Sequence, residues 1–363
     1  MSFKFTFLFL LSSLILSLSA QQPETVKIGL LIQDKACLAA RQGAELAVRR
    51  ANENGGVNGH ALQLLVRSME GPWGTGSKQA VHLIFEENVW ALLGSHDGRN
   101  AHLVEQAATK STVVFISTWS SDPTLSQAFV PWFYNGVPTD NQQADAWIDE
   151  IYHKRKMNRV ATISDLTYDS NMALKSYLQR LRQAGKNEPV QFLWKDYSTN
   201  LNALADQINK SGTHAIILFC SPSISLKLIR LLRQQNMKQP VFGSISILNE
   251  DILSLQELQE FDNMLLVPSL LSASKSQIFR QAYQKTYGTS PGMVAAYAFD
   301  GMNVLIEAIR ISGSQDRENI QQSLSKIRYE GVTGLVQFDA RGNRVGTCGT
   351  MTVKNGIPEV GSR

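Results

Sequence analysis

From Val26 onward, short apolar runs alternate with longer stretches in which apolar residues recur every three or four positions. "VKIGLLI" has the continuous apolar character of a strand buried on both faces. "AARQGAELAVRRANENGG" follows, with Ala40, Ala44, Ala47, Val48 and Ala51 on one side, which predicts a helix ending at Gly55-Gly56. "ALQLLVRS" is the next strand and "SKQAVHLIFEEN" the next helix. "VWALLG", a helix from about Ala101, and "VVFIS" continue the series. Alternation of this kind predicts a parallel sheet with helices on both faces. The pattern restarts after "FYNGVPTDNQQ", beginning with "RVATISD" and a helix closed by Gly185, and runs on through "HAIILFC" to "PVFGS". Two long helical patterns then precede "GLVQFDARGNRVGTCGTMTVKNG", which alternates, carries Gly-Asn punctuation and reads as an antiparallel hairpin. The duplication is architectural; the two halves share no sequence repeat.

Two turns stand out against this scaffold. "VWALLG" runs into Ser95-His96-Asp97-Gly98, and "VVFIS" into Thr118-Trp119-Ser120-Ser121-Asp122-Pro123. Ligands of open parallel sheets sit beyond the carboxyl ends of the strands, where both turns fall. Each turn leads into a helix whose first N–H groups lack intrahelical partners and favour an anion or polar oxygen. Asp97 or Asn100 is suited to cap the first helix, and Asp122 before Pro123 the second. Gly98 permits close approach, Ser120 and Ser121 supply hydroxyls, and Trp119 supplies a flat apolar wall. The pair of turns predicts a ligand site, whereas any one of these residues alone is as well explained by capping.

Composition narrows the function classes. Hydrophobic residues make up 43% and charged residues 18% of 363, an ordinary globular balance, and the formal net charge is +4. The densest basic run, "HKRKMNR", is too narrow for a nucleic-acid face. The N-terminus has Lys4, an apolar core from Phe5 to Leu18 and Leu18-Ser19-Ala20, which predicts a cleaved signal peptide over residues 1–20 and a mature start near Gln21. Of the three cysteines, Cys37 and Cys220 fall just beyond strands, where a bridge would lock the molecule; at least one of the three is left over. His96, Asp97 and His102 invite a metal reading, but adjacent side chains converge poorly on one ion, so no metal is expected. No nucleophile elbow, phosphate-binding loop or zinc-protease motif occurs, and "GGVNGHAL" lies after a helix and before a strand, the wrong order for a dinucleotide loop. The expectation is a non-enzyme without cofactor.

Four stretches carry a family resemblance: "VKIGLLI" with "RQGAELAVRRANENGGVNGHALQLLV"; "VWALLGSHDGRNA" with "VVFISTWSSDPTL"; "FYNGVPTDNQQADAWIDEI" with "RVATISDLTYDSNMALKSYLQRL"; and "IFRQAYQKTYGTSP" with "AAYAFDGMNVLIEAI". In that order the chain resembles the type I periplasmic solute-binding proteins of branched-chain amino acid (Leu/Ile/Val) ABC transporters. The resemblance implies a two-lobed α/β fold, each lobe a parallel sheet with helices on both faces, joined by three crossing segments. Lobe I would comprise 26–137 with 269–329 and lobe II 138–268 with 330–363, with crossings near Gly136, Pro268 and Tyr329.

The resemblance also implies site roles. Gly98 falls where amino-acid binders use a serine to grip the ligand carboxylate, leaving only its N–H. Trp119 falls where a backbone carbonyl takes the ligand ammonium, and Ser121 where a threonine hydroxyl and N–H contribute. Tyr168 matches an aromatic of the second lobe that closes over the ligand. Ser223 marks the stretch of a second-lobe tyrosine, and Ile245 the approximate place of the ammonium-binding glutamate. The loss of that acid predicts poor binding of leucine, isoleucine and valine. The implied protein is a monomeric periplasmic receptor that closes on a small polar ligand (amino-acid-like, carboxylate or amide) and docks on a membrane permease. The alternative is a ligand sensor of the same fold without transport.

Overall fold

Five parallel strands in the order β2-β1-β3-β4-β5 form the first sheet: β1 (Val26–Ile32), β2 (Leu62–Ser68), β3 (Ala91–Ser95), β4 (Val114–Ser117) and β5 (Phe133–Asn135). Helices α1 (Leu38–Glu53), α2 (Thr75–Phe85) and α3 (Gly98–Lys110) connect them. This computed structural model describes residues 25–127, 131–195, 200–267, 273–346 and 349–359. The signal segment 1–20, the Pro268 crossing and Cys348 lie outside the described residues.

The second sheet has the order β14-β13-β10-β9-β8-β6-β7. Its elements begin with α4 (Asp140–Ile148), then β6 (Val160–Ser164), α5 (Tyr168–Gln183), β7 (Val190–Leu193), α6 (Leu201–Lys210), β8 (Ala215–Phe219) and α7 (Pro222–Gln234). They continue with β9 (Val241–Gly243), α8 (Leu255–Gln259) and β10 (Leu265–Leu266). The chain then returns to the first sheet as α9 (Ala273–Tyr287), α10 (Met293–Ser312) and α11 (Arg317–Ser325). It leaves again through β11 (Tyr329–Gly331) and β12 (Gly334–Val336) and ends in the second sheet as β13 (Met351–Lys354) and β14 (Ile357–Glu359). Three passages therefore link two α/β layers, the first sheet wholly parallel and the second parallel except for β13 and β14.

Each sheet is covered on both faces, which is why its central strands read as unbroken apolar runs, whereas the edge strands β2 and β7 are largely half-buried or exposed. β3, β4, β6 and β8 are buried at every position. One face of the first sheet packs against α1 and α10, the other against α2 and α3. The second sheet packs Trp147 and Tyr177 on one face and Ile208, Leu228 and Leu232 on the other. α10 is apolar almost all round because it serves two cores: Ala295 and Ala298 face the first sheet's core, Met293 and Tyr297 the second's. Its approach to α1 needs a glycine, since a Cβ at Gly43 would lie 2.3 Å from the Ala295 carbonyl oxygen.

The C-terminal stretch differs from the single hairpin expected. It is split between β11–β12, a separate two-stranded ribbon, and β13–β14, whose first strand joins β10 antiparallel. The interruption is a tight turn in which the Asp339 carboxylate accepts from the Arg341 and Asn343 N–H groups. The second hairpin turns at Asn355-Gly356, both at positive φ, as a two-residue turn of the primed type requires.

Candidate functional site

The carboxyl ends of β1, β3, β4, β6, β8 and β9 converge on one cleft of about 540 Å³. On the first sheet's side, Asp97 caps α3 by accepting from the Asn100 N–H at 2.8 Å. Thr118 ties the two turns together, its N–H and hydroxyl both donating to the Gly94 carbonyl. Asp122 accepts from the Thr124 N–H at 2.8 Å, but the element it opens is a single 3-10 turn over Pro123–Ser126. On the second sheet's side, Asp165 accepts from Thr167 and from the Ser221 N–H, fixing the entries to α5 and α7 relative to each other.

Bonds span the cleft. The Tyr168 hydroxyl donates to Asp122 Oδ2 at 2.9 Å, and the Gly98 N–H donates to Asp169 Oδ1 at 2.9 Å. Farther along, Asp251 accepts from the Ala39 N–H in the first turn of α1 at 2.7 Å. Glu250 accepts from Val294 and Ala295 at the start of α10. The last two place acids at the positive ends of helices reaching over from the first sheet.

The expected site residues divide. Trp119, Ser121 and Tyr168 line the cleft, with Trp119 packed against the cores of both sheets. Ser121 donates to Asp140 Oδ1 at 2.6 Å rather than standing free. Gly98 is covered by Asp169, so the N–H expected to meet a ligand is already satisfied. Ser120 is buried behind the turn, its hydroxyl accepting weakly from the Asp122 N–H. Ser223 is exposed on the first turn of α7 and outside the cleft lining; its neighbours Ser221 and Pro222 face the cleft instead. Ile245 is a core residue, flanked by Ser244 and Ser246, which line the cleft and bond to each other.

Acids dominate what sequence reading missed. Asp34, Asp140, Asp169 and Asp251, none singled out there, line the cleft together with the expected Asp97, against Arg99 and a buried His96. Burial pushes the Asp140 carboxyl well above the ordinary value, against the bond from Ser121. Burial likewise raises Asp169 to about 7, opposed by the Gly98 N–H and by Arg99 and reinforced by Asp97 and Asp122. Asp122 behaves oppositely: although burial raises it, bonds from His102, Thr124 and Tyr168 hold it below the ordinary value. Its partner His102 rises to about 9 through the bond to Asp122 and a second to Glu105. Burial keeps His96 neutral by lowering it. Cys37 and Cys220 both line the cleft as free thiols, and burial raises both, leaving them unreactive. Among the described residues, no group of three or more His, Cys, Asp or Glu side chains could hold a metal ion.

The cleft thus lies between the strand ends of two α/β layers. The family model described as "Periplasmic binding protein" matches residues 25–355, and the chain belongs to that family of solute-binding proteins. It is 20% identical over 308 residues to the leucine-, isoleucine-, valine-, threonine- and alanine-binding protein of Pseudomonas aeruginosa, covering 84% of this chain and 81% of that one. It is 22% identical over 377 residues to glutamate receptor 3.7 of Arabidopsis thaliana, covering 92% of this chain and 40% of the receptor. Among solved structures, it is similar to the branched-chain amino acid transporter substrate-binding protein LivJ from Streptococcus pneumoniae in complex with isoleucine. The TM-score is 0.80 at 21% identity, over 93% of this chain and 98% of that one.

Proposed function

We propose that the protein is the exported solute-binding component of an ABC transporter of the branched-chain amino acid type. It captures a small polar organic ligand by hinge closure of two lobes, 26–137 with 269–329 and 138–268 with 330–363. The closed monomer then docks on a membrane permease. The observation that carries this reading is the pair of cross-cleft bonds, Tyr168 to Asp122 and Gly98 to Asp169, over a cavity walled from both sides. Contacts that bridge both lobes favour the closed form, and a ligand touching both walls adds to them. Family membership and the likeness to the Pseudomonas aeruginosa binding protein support the transport role.

Native mass spectrometry of protein purified from the exported fraction tests the reading, together with small-angle scattering before and after ligand removal. A bound small molecule and a larger radius of gyration once it is removed are the expected results. No bound molecule and no change of radius with any added solute would overturn it. The likeness to glutamate receptor 3.7 favours a second reading, a ligand sensor without transport. Co-purification with a permease separates the two.

A further inference from the structure

The start of α3 offers one N–H across the cleft, that of Gly98, since the Asn100 N–H is taken by the Asp97 cap; the helix dipole adds positive potential there. That seat is filled from within. Asp169, on the first turn of α5, places Oδ1 2.9 Å from the Gly98 nitrogen. Gly98 and Asp169 also fit each other sterically. A Cβ at position 98 would lie 2.9 Å from Asp169 Oδ1, 3.0 Å from Ser120 Oγ and 3.1 Å from Asp122 Cβ. A serine side chain there would require the seated carboxylate to shift.

We propose that the cleft takes a small organic cation, a primary amine without a carboxylate, because Asp169 supplies the carboxylate that an amino acid would otherwise bring. The proposal rests on the solute-receptor reading above and narrows its ligand.

Three further observations point the same way. Five carboxyl side chains line the cleft against one arginine, and Arg99 lies at the exposed rim with its guanidinium over the Tyr168 ring at 5.5 Å and the Trp73 ring at 5.8 Å. Asp140 is 2% exposed and lines the cleft, yet among the described residues its carboxyl receives one hydrogen bond, from Ser121. A buried carboxyl with so few donors is costly, and an ammonium brings three. Trp119 and Phe219 present aromatic surface on the same walls, which suits a cation. A carboxylate ligand would have to expel Asp169 and then sit among Asp97, Asp122 and Asp140.

Proton linkage supplies an independent readout. Asp169, faced by Asp97, Asp122, Arg99 and the Gly98 N–H, is raised to about 7 chiefly by burial. Asp140, faced by Asp122, Asp169 and Ser121, is raised well above the ordinary range for the same reason. An ammonium favours their ionised forms, so binding releases protons and tightens as pH rises through about 7.

The experiment is calorimetric titration of the exported protein, freed of bound small molecules, with matched probes at pH values on both sides of about 7. The amines are isopentylamine, phenethylamine and putrescine. Leucine and phenylalanine are the amino-acid counterparts, and isocaproate and phenylpropionate the acids. At least one amine should bind about tenfold or more tightly than every carboxylate-bearing probe, with proton release and stronger binding at the higher pH. Asp169→Asn should weaken that amine about tenfold while leaving the thermal transition cooperative. The double variant Gly98→Ser with Asp169→Ala, which empties the seat and restores a hydroxyl, should shift preference toward leucine or isocaproate. Tighter binding of an amino acid or acid by the unmodified protein overturns the cation proposal and leaves the receptor reading standing. Binding of no amine overturns it as well. If the exported protein also carries no small molecule by native mass spectrometry, the receptor reading falls with it.

Discussion

Tyr168, the first residue of α5, donates its phenolic hydrogen at 2.9 Å to Oδ2 of Asp122, the cap of the turn after β4 on the opposite sheet. The same carboxylate accepts from Thr124 and meets His102 Nε2 at 3.2 Å. Three elements thus share one buried acceptor, and among the described residues Tyr168 is the member from the second sheet.

Tyr168→Phe should therefore loosen the cleft without harming the fold. The ring stays and only the hydroxyl goes, so global stability should fall by no more than about 1 kcal/mol. Affinity for the captured solute should drop about five- to tenfold, because the closed form loses one bridging bond. Titration calorimetry beside a urea melt measures both. A large stability loss with unchanged affinity would show that Tyr168 serves the fold and not closure.

The His102–Asp122 pair makes stability depend on pH. His102 is raised from 6.5 to about 9, so its charged form is favoured in the folded protein. Its contribution is fully present below about pH 6.5 and is lost as pH rises through about 9. The side chain is one-third exposed, and after solvent screening the contribution is about 1 kcal/mol. The thermal midpoint of His102→Gln should lie below that of the unmodified protein at about pH 6 and converge with it above about pH 9. Parallel curves across that window would remove His102 from the account.

Arg344 pins the first passage to the last. Its guanidinium, 3% exposed, donates to the Gly136 and Leu335 carbonyls and to both the hydroxyl and carbonyl of Thr333. Arg344→Met leaves those acceptors without their donor and the neighbouring buried Asp300 without a countercharge, at a cost of about 3 kcal/mol. The urea midpoint should fall accordingly, with the slope unchanged. Arg344→Lys, which cannot reproduce the fork, should recover less than half of the loss.

Export is checked by N-terminal sequencing. Lys4 and the apolar stretch Phe5–Leu18 predict processing after Ala20, so the protein outside the cytoplasm should begin at Gln21. A product that begins at Met1 and stays in the cytoplasm would contradict it.

Much of the molecule follows from the sequence alone. Strands buried on both faces have to be continuous apolar runs, and helices lying on them have to carry one apolar side, so the alternation of β1 through β9 is legible without coordinates. Trp119 and Ser121 at the cleft are legible because they follow directly on a predicted strand; the cap of α3 is narrowed to Asp97 or Asn100, of which the structure uses Asp97, and Tyr168 is reached through the family resemblance. What joins residues far apart in the chain was not legible. Asp140 and Asp169 look like ordinary first-turn acids of α4 and α5, and nothing in "TDNQQ" or "TYDSN" announces that one meets Ser121 and the other Gly98. Ser223 shows the limit in the other direction: the turn was located, but helical geometry sends Ser221 into the cleft and Ser223 outward. Secondary structure is set by periodicity over a few neighbouring residues, whereas the charge of the cleft is set by which turns the two sheets bring face to face. That meeting is decided by the packing of α10 between two cores and by the Arg344 anchor at Gly136, contacts between residues up to about two hundred positions apart.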